Sequence, residues 1–358
     1  MQEITITEAN EGQRLNKFLG KYFDNAPQSF IYKMLRKKNI KWNNGKATGN
    51  EILKAGDSIK IFMTDETISN FRKDGCVPTF ANVIKDCDKG YGEMSDFKNH
   101  IPFNIIYEDR DILILNKPTD VLSQKAKITD YSLNEQIVDY YCKRDDVDKL
   151  FTPSVCNRLD RNTSGIIIAG MSLKGSRCIS AMLKERVIDK YYLTVVSGKI
   201  TNPNRIKGYL AKQTSHNRVK IYDTEEEAKK DGGNKISYIE TGYEPIAHGK
   251  YKDKDFTLLK VKLITGKSHQ IRAHLFSIGY PIIGDGKYGD NHLNQIMKKD
   301  FKLRHQLLHA YCLKFPDHVM DLEKNLCGSF VKAEPPKEFL NILQGIFHID
   351  SESLNGLC

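Results

Sequence analysis

The chain has 358 residues, 40% of them hydrophobic, and 55 Lys and Arg against 45 Asp and Glu give a formal net charge of +10. That length allows a substantial core and two domains. No apolar run approaches the ~20 residues of a membrane helix, and Met1-Gln2-Glu3-Ile4-Thr5 lacks the basic and apolar regions of a secretory signal, so a soluble cytoplasmic protein is expected.

The excess of cations favours a polyanionic partner, because Lys and Arg neutralise phosphates and release counterions. The eight cysteines are scattered without a C-x-x-C pair and read as reduced thiols. Residues 1–62 read as one compact unit. Leu15, Phe18, Leu19 and Tyr22 recur at helical spacing, and after Pro27-Gln28-Ser29 a second helix buries Ile31, Met34 and Leu35. Its other face carries Lys33, Arg36 and Lys37, followed by Lys38 and Lys41, a basic stripe against which backbone phosphates can dock. Short strands flank an Asn44-Gly45 turn and follow Gly56-Asp57. Residues 63–100 lose apolar periodicity and read as a linker, with a short helix near 80–84.

A catalytic domain, 101–358, opens with Ile105-Ile106-Tyr107, a turn, and a strand over 111–115 that leads into Asn116-Lys117-Pro118. Helical patterning over 132–141 precedes Val155-Cys156-Asn157-Arg158-Leu159-Asp160-Arg161-Asn162-Thr163-Ser164-Gly165, and a buried strand is expected to begin near Ile166. Asp160 therefore sits on the loop entering a strand, rigidly held and open to a ligand, a suitable place for a catalytic acid. The plainer alternative is a turn aspartate paired with Arg158 or Arg161. A helix over 172–185 and the strand of Lys190-Tyr191-Tyr192 follow. Residues 212–234 read as a polar β-excursion with a mobile tip and a charged patch at 225–230. The strand over 256–264 then meets Thr265-Gly266-Lys267-Ser268-His269-Gln270-Ile271-Arg272-Ala273-His274-Leu275, where a helix capped by Ser268 and stopped by Gly279 is expected. His269 and His274, five apart with no glutamate between, do not share a helical face, so no metal is expected. The chain has no Gly-rich phosphate loop, and neither ATP nor a dinucleotide is expected.

The Asp160, Tyr192 and Arg272 blocks resemble the H-R-L-D-x-x-T-S-G, K-x-Y and T-G-R-T-H-Q-I-R-x-H-L patterns of the RluA-type pseudouridine synthases. The N-terminal run Pro-x-Ser-x-Ile-Tyr-x-x-Leu-Arg-Lys, with Leu53-x-Ala55-Gly56-Asp57, resembles the small RNA-binding domain named after ribosomal small-subunit protein four. The resemblance implies an α+β fold, a mixed and largely antiparallel sheet with flanking helices and a central cleft, plus a small α/β RNA-binding domain. It implies a monomeric, cofactor-free enzyme that flips a uridine out of RNA and isomerises it to pseudouridine. Large-subunit ribosomal RNA is the expected substrate, transfer RNA the second choice, and a non-catalytic ribosome-associated RNA-binding protein the competing class. The catalytic residues implied are Asp160, as nucleophile or as base toward a sugar proton, Arg272 as its ion-pair partner, and Tyr192 stacked on the uracil and able to help deprotonate carbon 5. Arg158 would fill the vacated space or hold a phosphate. Lys33, Arg36, Lys37, Lys38 and Lys117 complete the RNA-binding set. The chain departs from the pattern in carrying Asn157 where histidine is usual, and Asp120 and Gln124 where glycine and histidine are usual.

Overall fold

The computed structural model describes residues 1–23, 25–71, 104–127, 129–144, 151–212, 218–318 and 326–357. At the N-terminus, strands β1 (Gln2–Thr5), β2 (Ile40–Trp42), β3 (Gly45–Lys46) and β4 (Ser58–Ile61) form an antiparallel sheet in the order β1-β4-β2-β3. Helices α1 (Leu15–Tyr22) and α2 (Gln28–Arg36) bury the apolar stripes expected of them, and Phe18, Leu19, Ile31 and Leu35 share one core with Ile40, Ile59 and Ile61. This unit runs further than 62. Thr64 caps a third helix, α3 (Asp65–Asn70), by accepting from the Thr67 N–H, Ile68 joins the same core, and the Phe71 ring lies 4.1 Å from that of Phe30. One apolar residue per turn was too weak a signal to extend the domain. The helix expected near 80–84 lies outside the described residues.

The second unit is built on strands β5 (Asn104–Glu108), β6 (Ile112–Lys117), β7 (Ser154–Val155), β8 (Ser164–Gly170), β9 (Asp189–Ser197), β10 (Asn204–Lys212), β11 (Val219–Tyr222), β12 (Asn234–Tyr251), β13 (Lys254–Leu263), β14 (Leu308–Lys314) and β15 (Phe330–Lys332). They form one 11-stranded sheet in the order β11-β10-β12-β13-β9-β14-β8-β6-β5, with β15 on β14 and β7 on β8. The sheet is mixed: β14 and β8 run parallel, and the other pairings are antiparallel.

Strand alternation divides the core between two faces. On one, Leu113, Leu115, Ile167, Tyr192, Leu259 and Val261 pack with helices α4 (Leu133–Cys142) and α7 (Gln270–Ser277). On the other, Ile112, Ile114, Ile166 and Ile168 meet α5 (Leu173–Glu185), while Leu193, Val195 and Leu258 meet α8 (Asn291–Phe301) and α9 (Lys337–Ile342). The charged patch expected in a β-excursion is instead helix α6 (Glu225–Lys230), capped by Thr224 and buried through Ala228. Asp111 and Ser172 anchor the start of α5, and Arg177 of that helix donates to the Gly12 carbonyl at 2.6 Å, joining the two units together with an Arg110–Glu8 pair at 2.7 Å.

Among the described residues, no helix is long and apolar enough to cross a membrane. Cys156 and Cys327 are free thiols, but Cys312, fully buried on β14, is disulfide-bonded. The reading of every cysteine as reduced fails there, because sequence spacing does not disclose which sulfurs approach one another in space.

Candidate active site

The loop carrying Asp160 is pinned before, beside and behind that residue. Asn157 docks on β8, accepting from Ile168 N–H at 2.7 Å and donating to the Ile166 carbonyl at 3.2 Å. This contact turns the residue inward and uses both ends of its amide on the strand. Leu159 is buried, and the Ser123 hydroxyl accepts from its N–H at 3.0 Å and donates to its carbonyl at 2.9 Å. Asp160 then closes a turn onto Thr163 N–H at 3.0 Å, and Gln306 holds the Thr163 hydroxyl at 3.2 Å. The strand begins at Ser164, two residues before the expected Ile166, and all seven of its residues are buried. Gly165 is required in this position. Its φ is +114°, and a Cβ there would stand 2.3 Å from the Ala310 carbonyl oxygen of β14, which pairs with it in parallel register.

Lys117 is corrected by the structure. It is 0% exposed, and its Nζ donates to the carbonyls of Pro118 and Val121 at 2.8 Å and of Arg161 at 2.9 Å. A phosphate cannot reach it. Burial pushes its pKa down to about 7 against the pull of Asp160 and Asp120, yet three carbonyls each taking a hydrogen are satisfied only by the ammonium form. Counted in the RNA-binding set, Lys117 is instead a buried tie that holds the backbone immediately after Asp160.

Helix α7 supplies the counter-charge. Arg272 Nη1 lies 2.7 Å from Asp160 Oδ2, while its Nε and Nη2 form a fork on Asp285 at 2.6 and 2.9 Å. Asp285 is 0% exposed and also accepts from the N–H groups of Lys287 and Tyr288. Burial raises its pKa, but the Arg272 hydrogen bonds and charge, with those two N–H groups, leave the net shift downward. Burial likewise opposes the Arg272 charge, and Asp285, then Asp160, more than offset it and hold the guanidinium protonated. The chain Asp285–Arg272–Asp160 thus fixes a cation beside a carboxylate that keeps 25% of its side-chain surface exposed.

The helix is set by its neighbours. Gln270 accepts from the Thr265 hydroxyl at 2.8 Å and Lys267 N–H at 3.1 Å, and donates to the Glu240 carbonyl and Thr241 hydroxyl on β12. Its cap is not Ser268 as expected. His269 occupies that position in the left-handed region, φ 58°, without a side-chain capping bond. That conformation is uncommon outside glycine and directs the imidazole to Asp160: Nε2 stands 3.9 Å from Oδ2, and Nδ1 3.2 Å from the Tyr288 hydroxyl. Tyr288 also lies against the Arg272 guanidinium, 5.3 Å from ring centre to Cζ. His274, by contrast, faces the Thr241 hydroxyl at 2.9 Å, fully buried, with its pKa pushed down by burial to about 4. The two histidines serve different partners.

Register separates the adjacent tyrosines. Tyr192 pairs with Ala310 and Val261 and is buried on the face that holds Leu159 and Ile271. Burial, then the charge of Asp160, raises its phenol pKa. Tyr191 turns to the opposite face, beneath Lys260 at 4.9 Å and Lys262 at 5.6 Å. Arg158 is exposed on the catalytic loop, and Lys33, Arg36, Lys37 and Lys38 are exposed on and just after α2. Sequence reading missed Asp285, His269 and Tyr288. Only His269 lies in a matched block, and a buried ion-pair fork has no periodicity to reveal Asp285.

Residues 111–277 match the sequence profile described as RNA pseudouridylate synthase. The chain is 31% identical to the ribosomal large subunit pseudouridine synthase C of Buchnera aphidicola subsp. Baizongia pistaciae, the match covering 87% of this chain and 88% of that protein. It is 26% identical to the synthase C of Escherichia coli, over 87% and 88% of the two chains, and 27% identical to the synthase D of Borreliella burgdorferi, over 99% and 95%. The solved structure of human RNA pseudouridylate synthase domain containing 1 shares the fold, with a TM-score of 0.51 at 23% identity over 68% of this chain and 88% of that one.

Proposed function

The chain belongs to the RNA pseudouridylate synthase family and is an enzyme that isomerises uridine to pseudouridine, and from that premise we propose that its substrate is large-subunit ribosomal RNA and its reaction centre Asp160. The observation that carries this reading is the Asp285–Arg272–Asp160 chain, which ends in a partly exposed carboxylate beside buried Tyr192. The relatives' names, ribosomal large subunit pseudouridine synthases C and D, support the choice of RNA.

The reaction breaks the bond between C1′ of ribose and N1 of uracil, turns the freed base, and rejoins it through carbon 5. Glycoside hydrolysis needs two carboxylates because an alkoxide leaves poorly and water must be activated. Uracil leaves as a stabilised anion and water has to stay out, so one carboxylate suffices. Asp160 supplies it, as a nucleophile or as a base toward a sugar proton. Arg272 fixes its orientation and balances its charge, and Tyr192 stacks on the uracil. The target must leave its helix, at a cost of a few kcal/mol, and Arg158 is exposed where it can fill the gap or hold a phosphate. The N-terminal unit acts as the RNA-binding domain: Lys33, Arg36, Lys37 and Lys38 offer exposed charges to the backbone, consistent with a net charge of +10. The protein works as a monomer in the cytoplasm and without a cofactor.

Pseudouridine mapping by carbodiimide-blocked primer extension tests this. An unmodified large-subunit transcript treated with wild-type protein should give discrete stops, and Asp160→Asn none. Stops with both proteins would remove Asp160 from the chemistry. Stops on transfer RNA alone would move the substrate to that RNA, and stops on neither would favour a binding protein.

A further inference from the structure

A second group of exposed cations lies away from α2, at the end of helix α8. Lys298, Lys299, Lys302 and Arg304 are all exposed, and with Gln295 they line a surface cavity of about 470 Å3. No carboxylate and no aromatic ring lines it. Elsewhere on the surface many cations have an acidic partner, as Lys229 has Glu225 and Lys262 has Asp189. None of these four forms an ion pair among the described residues, and the neighbouring acid, Asp300, is already held by Lys252 and Tyr251.

Helix chemistry accounts for only part of the group. The C-terminus of a helix carries about half a negative charge, which one or two basic residues in the last turn offset. Four full charges exceed that. Lys302 also holds the C-cap in the left-handed region, φ 60°, a position that favours glycine. Its backbone N–H closes the helix on the Met297 carbonyl, a task glycine performs with less strain, while its side chain adds a cation to the cavity.

The cavity is mounted on the same scaffold as the catalytic loop. Strands β8 and β14 run parallel, Ser164 beside His309 and Gly165 beside Ala310. The loop that carries Asp160 enters β8 and the loop that carries Lys302 and Arg304 enters β14, so both leave the sheet at the same end. Gln306 joins them through the Thr163 hydroxyl at 3.2 Å. From the other side, Asn294 of α8 accepts from Gly284 N–H at 2.7 Å and donates to the carbonyl of Asp285, the residue that grips Arg272, at 2.9 Å. Leu293 and Met297 bury the opposite side of the helix.

We propose that Lys298, Lys299, Lys302 and Arg304 form a second phosphate-binding surface, which holds the RNA backbone beside the flipped uridine. The proposal deepens the reading of RNA as substrate and rests on it. Charge without a ring on which a base can stack suits the sugar-phosphate backbone and gives position without sequence preference. Contacts of this kind release counterions, so they appear in the salt dependence of binding.

The test measures Kd against salt on the large-subunit RNA fragment in which wild type produces a primer-extension stop, converted to product beforehand so that no turnover intervenes. The proteins are wild type, Lys298→Gln with Lys299→Gln, Lys302→Gly, Arg304→Gln, all four changes together, and a control pair, Lys184→Gln with Arg186→Gln, which removes exposed cations from the end of α5. Each lost contact should flatten the log–log slope by about 0.7–0.9, so the four together by about 3, and the control pair should leave it almost unchanged. Neutral methylphosphonates are then placed one at a time on either side of the target. Some should weaken wild type several-fold and have no further effect on the four-site variant. An unchanged slope in that variant overturns the proposal. So does an equal loss in the control pair, which would assign the effect to net charge alone, or methylphosphonate sensitivity that persists in the variant. Should the four-site variant fail to fold, Lys302→Gly, whose backbone glycine favours, decides by its own slope. Stops on transfer RNA alone would end the choice of ribosomal RNA, and the same slopes measured on that transfer RNA would then decide this surface. Wild-type protein that forms no pseudouridine on any RNA removes the substrate reading and this surface with it.

Discussion

The catalytic loop and the basic face of α2 both present charge, and they do so in opposite ways. Beside Asp160 the paired charges of Arg272 and Asp285 are buried, Asn157, Ser123 and Lys117 fix the loop through backbone groups, and Gln306 holds the Thr163 hydroxyl. On α2 the charges of Lys33, Arg36 and Lys37 stand in solvent above a buried stripe of Ile31, Met34 and Leu35. The first arrangement loses solvation and gains orientation, which is what a reaction centre needs. The second keeps solvation and gains reach; its energy comes from counterion release and tolerates imprecise geometry. One region should fail abruptly when a partner is removed, the other gradually.

The largest effect is expected from Asp285→Asn, which leaves Arg272 buried with half of its fork unpaired. Stability should fall by about 3–5 kcal/mol, as for one partner of a buried ion pair, and turnover should collapse even in the folded fraction; denaturant titration with single-turnover assays reads both. A loss under 1 kcal/mol would mean that the orientation of Arg272 is not set by that fork. Acid should come next. His274 and His309 are fully buried, and burial lowers each pKa to about 4. Because the folded values lie below the unfolded ~6.5, this stabilisation is complete above pH 6.5 and is lost as pH falls toward 4, by a few kcal/mol in all. Unfolding free energies measured across that window should fall with pH, and less steeply in His309→Gln.

The basic face should respond by degrees. Replacing Lys33, Arg36, Lys37 and Lys38 together by alanine should raise KM for RNA, leave kcat unchanged, and flatten the log–log salt dependence by about 0.7 for each lost contact to single-stranded phosphates. A change in kcat would break the contrast between the two regions. The smallest effect should be that of Tyr191→Phe, on the sheet face away from Asp160, with wild-type turnover within about twofold because the hydroxyl's bonds, to Asp189 at 3.3 Å and to Lys262, lie away from the reacting groups. The same change at Tyr192 should cost more.

Much of this molecule could be read before any coordinates. Period-3.6 stripes placed α1, α2 and α5, the β-branched run placed β8, and three short blocks pointed to Asp160, Tyr192 and Arg272, because periodicity and local motifs are written along the chain. The beginning of α7 was misjudged: Ser268 is the better cap by local rules, yet His269 holds the cap position. Lys117 was counted in the RNA-binding set, and only packing against the carbonyls of Pro118, Val121 and Arg161 buries it. Sequence by itself determined which residue types were available and which helices and strands they prefer. Tertiary structure alone decided that Asp285 grips Arg272 across 13 positions, because charges that compensate each other's desolvation are chosen by proximity in space, and chain order carries no record of it.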